Sequence, residues 1–177
     1  MGTAVMISIK PKWVDLIVNG NKTIEIRKTK PKLETPFKCY IYETKGDTDV
    51  PVIYEDGSMD LHGRGMVVGE FMCVRCSSVF INAKEYDFSE WPLEVPDTRL
   101  SVKEIIDYIG DMRQSYWWYI SDLKMYDKPK PLFDFQRVCS KIKEDCGTCK
   151  RLFPKKYDCI AGLTRPPQSW CYVEEVQ

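Results

Sequence analysis

Apolar and polar residues alternate over several short stretches of this chain, the period of strands, and helical spacing occurs in only two places. Val5 to Ile9 reads as a first strand. Pro11 to Asn19 follows as a helix, with Pro11 suited to its first turn and Gly20 to a left-handed position just past its end. Trp13, Leu16 and Ile17 share one face of that helix. Thr23 to Arg27 reads as a strand with Ile24 and Ile26 on one side and Thr23, Glu25 and Arg27 on the other. Phe37 to Tyr42 alternates again, and Met66 to Val79 is the longest strand-like run, with Gly69 a bend or bulge. Ser101, with Glu104 three residues on, opens a second helix that Gly110 stops. Tyr116 to Ile120 reads as a buried strand continuing towards Met125, and Ser169 to Val176 as the last one. Residues 46–65 and 128–132 carry turn residues and predict loops. Many strands, few helices and no internal repeat predict an α+β fold, a barrel-like sheet with short helices packed outside it.

A chain of 177 residues fits a single domain spanning 1–177. An apolar fraction of 44% excludes wholesale disorder. Twenty-six basic residues balance 26 acidic ones, so attraction to nucleic acid has to come from a local patch. Such patches exist. Lys10 to Lys38 holds eight basic residues against Asp15, Glu25 and Glu34, and Arg137 to Lys156 holds seven against Glu144 and Asp145. Glu85 to Asp111 is the reverse, eight acidic residues against two basic ones, a surface that could dock a basic protein partner. Each run also fits a plain solvated surface. No secretory leader and no apolar run of membrane-spanning length is recognisable, which predicts a soluble cytoplasmic protein with no membrane partner.

The segment Gly20-Asn21-Lys22-Thr23-Ile24-Glu25-Ile26-Arg27 concentrates candidate chemistry. Gly20 lets the chain turn from helix to strand, Lys22 sits in the turn, and Glu25 and Arg27, two apart on a strand, share a face. One carboxylate between two cationic donors can fix a polar ligand through directional bonds. The same three groups can equally form a buried ion pair that locks the sheet. Spacing leaves both open.

Met6-Ile7-Ser8-Ile9-Lys10-Pro11-Lys12-Trp13, Ile17 and the Gly-x-Lys-x-x-Glu-x-Arg segment together resemble the signature of the ASCH superfamily, in particular its small bacterial and phage members. Arg165-Pro166-Pro167-Gln168-Ser169-Trp170-Cys171-Tyr172-Val173 is similar to the close of that group. The resemblance implies a PUA-like barrel that binds RNA, a nucleotide or a nucleoside in a cleft lined by Lys22, Glu25 and Arg27. Lys10, Ser169 and Trp170 are added to that ligand set. Some small ASCH proteins are hydrolases, acting on N4-acylated cytidine or on RNA. On that alternative Lys22 matches the catalytic lysine, with Glu25 as a general base and Ser169 or Ser8 as hydroxyl donors. The amidohydrolase group has a threonine where this chain has Glu25, so its nucleophile is missing from the matching place.

Cys139, Cys146, Cys149 and Cys159 carry a second signal. The Cys-Gly-Thr-Cys step lets two thiolates face one ion, and four thiolates would make a closed structural zinc site across a Cys-rich segment, 137–165. Cys73 and Cys76 have the same spacing but lie within a strand, where positions three apart face opposite ways. Tyr116-Trp117-Trp118-Tyr119 predicts alternate rings filling the core, with only the outward pair free to stack on a base.

Overall fold

The computed structural model describes residues 2–53, 59–62, 64–80, 95–110, 114–138 and 162–176, with backbone only for 47–53 and 59–62. Eight strands and two helices form in the order β1 (Thr3–Ile9), α1 (Pro11–Val18), β2 (Ile24–Arg27), β3 (Phe37–Glu43), β4 (Asp47–Ile53), β5 (Met59–His62), β6 (Val67–Phe80), α2 (Val102–Ile109), β7 (Gln114–Lys130) and β8 (Trp170–Glu174), counted among the described residues. Six strands make one sheet in the order β2-β7-β6-β3-β1-β8. All its pairings are antiparallel except β1 with β3.

Strict alternation on β1 and β3 sorts residues between two faces. Val5, Ile7 and Ile9 join Phe37, Cys39 and Ile41 in one core, completed by Phe71, Cys73 and Trp118 and by Val14 and Ile17 of α1. Ala4, Met6, Tyr40 and Tyr42 face the other way and pack under Phe135 and Leu163. α2 lies elsewhere, setting Ile105 and Ile109 against Ile26. Its start is the predicted capping box: the Ser101 hydroxyl accepts from the Glu104 N–H at 3.2 Å, and the Glu104 carboxylate accepts from the Ser101 N–H at 2.8 Å.

Three expectations need correction. The sheet is not a closed barrel: β2 and β8 stand at its two ends and share no ladder. Residues 46–65, expected as a loop, include β4 and β5, a two-stranded sheet of their own. β7 runs through Lys128 to Lys130, because it tolerates Pro129 inside an irregular stretch of its pairing with β6. The Cys-rich segment with Cys139, Cys146, Cys149 and Cys159 lies outside the described residues, and so does the zinc site expected there. No helix among the described residues is long and apolar enough to cross a membrane.

Candidate functional site

Lys22 reaches its place through two backbone devices. Gly20 takes φ 69° after α1, and the Lys22 N–H then donates to the Leu16 carbonyl at 2.9 Å. A turn from another part of the chain, 95–100, docks here: the Asp97 carbonyl accepts from the N–H groups of Thr23 and Ile24 at 2.9 and 3.0 Å. The side chain of Lys22, with the residue only 2% exposed, is thereby held at three acceptors. Its Nζ lies 2.8 Å from the Ile24 carbonyl, 2.7 Å from the Thr98 carbonyl and 3.3 Å from Glu25 Oε2. An ammonium has three hydrogens, so this set saturates it.

Glu25 and Arg27 are each 7% exposed. Arg27 Nη2 lies 2.9 Å from Glu25 Oε1, so each carboxylate oxygen faces one cation. Burial lowers the pKa of Lys22, and the charge of Glu25 and its hydrogen bond pull it back up. Arg27 also crosses to the far end of the sheet, where Nη2 donates to the Ser8 carbonyl at 2.6 Å and Nη1 reaches Ser169 Oγ at 3.5 Å. The Ser8 hydroxyl is committed to the Pro167 carbonyl at 2.6 Å, and the Ser8 N–H to the Ser169 carbonyl at 3.0 Å. Arg27 therefore ties β2 to β1 and to the residue preceding β8, joining with a side chain the two ends that no ladder joins.

Two buried donors remain. Arg27 Nε and Trp118 Nε1 have no acceptor among the described residues. Trp118 is the register partner of Glu25 on β7, so both donors belong to one small region of paired strands. Around it lies a rim of cations and rings. Trp170 lies with its ring 6.1 Å from that of Trp118, tilted by 56°, and donates its Nε1–H to Thr29 Oγ1 at 3.0 Å. Lys30 sits over Tyr116 at 5.7 Å on this face, while on the opposite face, that of Ile26 and α2, Lys28 lies over Tyr108 at 5.3 Å and Arg75 over Tyr119 at 4.9 Å. The Lys32 N–H donates to the Tyr172 hydroxyl at 2.6 Å, which fastens the lysine-bearing stretch after β2 along β8.

Of the residues singled out in the sequence, Lys22, Glu25, Arg27 and Ser169 come together and Trp170 stands beside them. Lys10 does not join: it is exposed at the N-cap of α1, where its carbonyl accepts from the N–H groups of Trp13 and Val14 at 2.9 and 3.1 Å. Thr98 was missed. Val95-Pro96-Asp97 carries turn chemistry, but nothing in its composition shows which lysine its backbone will meet. Cys73 and Cys76 require another correction. A register shift between Cys73 and Arg75 adds a residue to β6, which returns Cys76 to the side of Cys73, against the core that also holds Cys39. Burial pushes the Cys73 thiol up to about 12 and Cys39 well up, so both stay protonated packing residues. The ring series behaves as expected at Trp118, which is fully buried, while Tyr119 faces Arg75.

A mixed sheet whose two ends are joined through Arg27, with Lys22 and Glu25 of the same short motif packed beside it, belongs to the PUA-like class of fold. The sequence model of the ASCH domain matches residues 7–130, and the chain belongs to that family. No curated protein matches it in sequence. Among solved structures it is similar to ASCH from Zymomonas mobilis, with TM-score 0.57 and 17% identity over 97% of this chain and 88% of the other. A tyrosine-to-phenylalanine variant of that protein matches over 91% of its length and a serine-to-alanine variant over 89%, both with TM-score 0.57 and 17% identity. At that identity the likeness concerns the fold.

Proposed function

We propose that this ASCH domain binds RNA or a nucleotide at Arg27, Ser169 and Trp170, with Lys22 and Glu25 as the buried props that aim the guanidinium. The observation that carries this reading is a pair of buried donors with no acceptor among the described residues, Arg27 Nε and Trp118 Nε1. A buried N–H left unpaired costs about 1–3 kcal/mol, and an acceptor such as a base carbonyl or phosphate oxygen arriving there would relieve that cost. The rim supports a nucleic acid as its source. Lys28, Lys30 and Lys32 follow the motif with no acid among them, and Tyr116, Trp170 and Tyr172 offer ring faces. Net charge alone would never have pointed here, since it is zero.

The rival reading is a small hydrolase using Lys22 and Glu25. It needs one of them to reach a substrate, whereas the ammonium is saturated and each carboxylate oxygen already faces a cation. Anisotropy with short single-stranded RNAs and nucleotides at low salt tests the proposal. Trp170→Ala should weaken RNA binding by about 1–3 kcal/mol, and Lys30→Ala should lower the salt slope by about one. Native protein that retains neither RNA nor nucleotide, or that releases product from RNA or an N-acylcytidine in a manner lost on Glu25→Gln, overturns it.

A further inference from the structure

A cavity of about 450 Å³ opens on the face of the sheet opposite to Arg27, with Tyr40 at its base. That size suits a nucleotide-sized ligand better than a bare ion, given that small-molecule pockets run to roughly 300–1,000 Å³. Its origin is a defect in the β6–β7 ladder. Val67 pairs with Lys130 and Gly69 with Met125, so Tyr126, Asp127, Lys128 and Pro129 stand against Val68 alone. A large irregularity of this kind bends the strand away from its neighbour and re-aims side chains. At its foot the strands close up: a Cβ on Gly69 would come within 2.7 Å of the Lys124 carbonyl and 2.8 Å of Met125 Sδ.

The charges around the cavity are divided. Lys38 holds both carboxylates, at 3.1 Å from Glu175 and 3.7 Å from Glu70, and Tyr126 donates its hydroxyl to Glu70 at 2.6 Å. The two remaining cations, Lys124 and Lys130, make no ion pair among the described residues. Lys130 rests over the Tyr126 ring at 4.6 Å, and Lys124 is the register partner of Glu70, the residue next to Gly69. Two compact ammonium charges flank a concave space whose acids are already occupied.

We propose that this cavity is a second ligand site, independent of Arg27, which takes a phosphate group between Lys124 and Lys130. Lysine binds phosphate as a point charge, and two of them facing one cavity favour an oxyanion over a neutral guest. The phosphate can belong to a free nucleotide or to the backbone of an RNA, and the experiment separates the two. Full-length protein is titrated by NMR with a nucleoside 5′-monophosphate and with the same nucleoside lacking phosphate. In parallel, the salt dependence of binding to a short single-stranded RNA is measured. Backbone resonances of Gly69, Lys124 and Lys130 should shift with the monophosphate and not with the nucleoside, and K124A/K130A should abolish the shift. A salt slope that falls by about two in the double variant assigns the site to an RNA backbone, and an unchanged slope assigns it to a free nucleotide. Trp170→Ala should leave the monophosphate shifts of Gly69, Lys124 and Lys130 intact, so the two sites stand or fall separately. If neither the monophosphate nor the RNA responds to Lys124 and Lys130, there is no phosphate site.

Discussion

The ammonium of Lys22 shows why a motif residue can be indispensable without touching a ligand. Its three hydrogens have three acceptors, two of them backbone carbonyls, and it lies buried beside Glu25 and Arg27. Removing one partner of such a group leaves the others charged and dry, which typically costs about 3–5 kcal/mol. Lys22→Met should therefore lower the unfolding free energy measured by urea titration by an amount of that order. A variant as stable as the native protein would mean that Lys22 is held for a ligand and not for the fold. The shared face of Glu25 and Arg27 was legible, because a strand alternates and the two are two apart. The choice between pocket and ion pair was not, because it depends on Thr98, 76 residues away, whose contribution is a carbonyl that every residue type has.

Local chemistry was most legible at the ends of elements. Ser101, Glu104 and Gly110 mark α2 as the structure has it, because capping is written in side chains within four residues of each other. The box also sets a pH response. The hydrogen bonds from Ser101 lower the pKa of Glu104 below its ordinary 4.5, so between the two values the unfolded chain binds more protons and stability rises with pH. The contribution is fully present above pH 4.5 and is lost as pH falls through the folded value. Native protein and Glu104→Gln should accordingly differ in thermal midpoint at neutral pH and converge in acid. A difference that persists at low pH would mean that the carboxylate charge does not act at the cap. The bulges of β6 and β7 were illegible by contrast, since an extra residue leaves no compositional mark. They shift Cys76 inward and open the cavity over Tyr40. Only Gly69 hinted at them. Gly69→Ala would force its Cβ against the Lys124 carbonyl and should destabilise by about 1–3 kcal/mol in a denaturant titration.

At the scale of the molecule, the expected barrel and the observed open sheet differ by one missing ladder, between β2 and β8. Strand number and alternation do not encode it, because a strand offers the same backbone donors whether or not a partner arrives. In this chain β2 is only four residues long, and its free side meets the far end of the sheet through the Arg27 guanidinium instead. The proposed ligand contact and the link between the two ends of the sheet thus rest on the same side chain. Arg27→Met keeps much of the bulk of that side chain and removes every donor, including the link to the Ser8 carbonyl. Hydrogen exchange should then speed up in β2, from Ile24 to Arg27, while the central pairing of β3 with β6 stays protected. Arg27→Lys, which keeps one charge and loses the fork, should fall between the two. If β2 exchanges at the native rate in Arg27→Met, β2 is held by the cores around Trp118 and Ile26, and the guanidinium is free to serve a ligand alone.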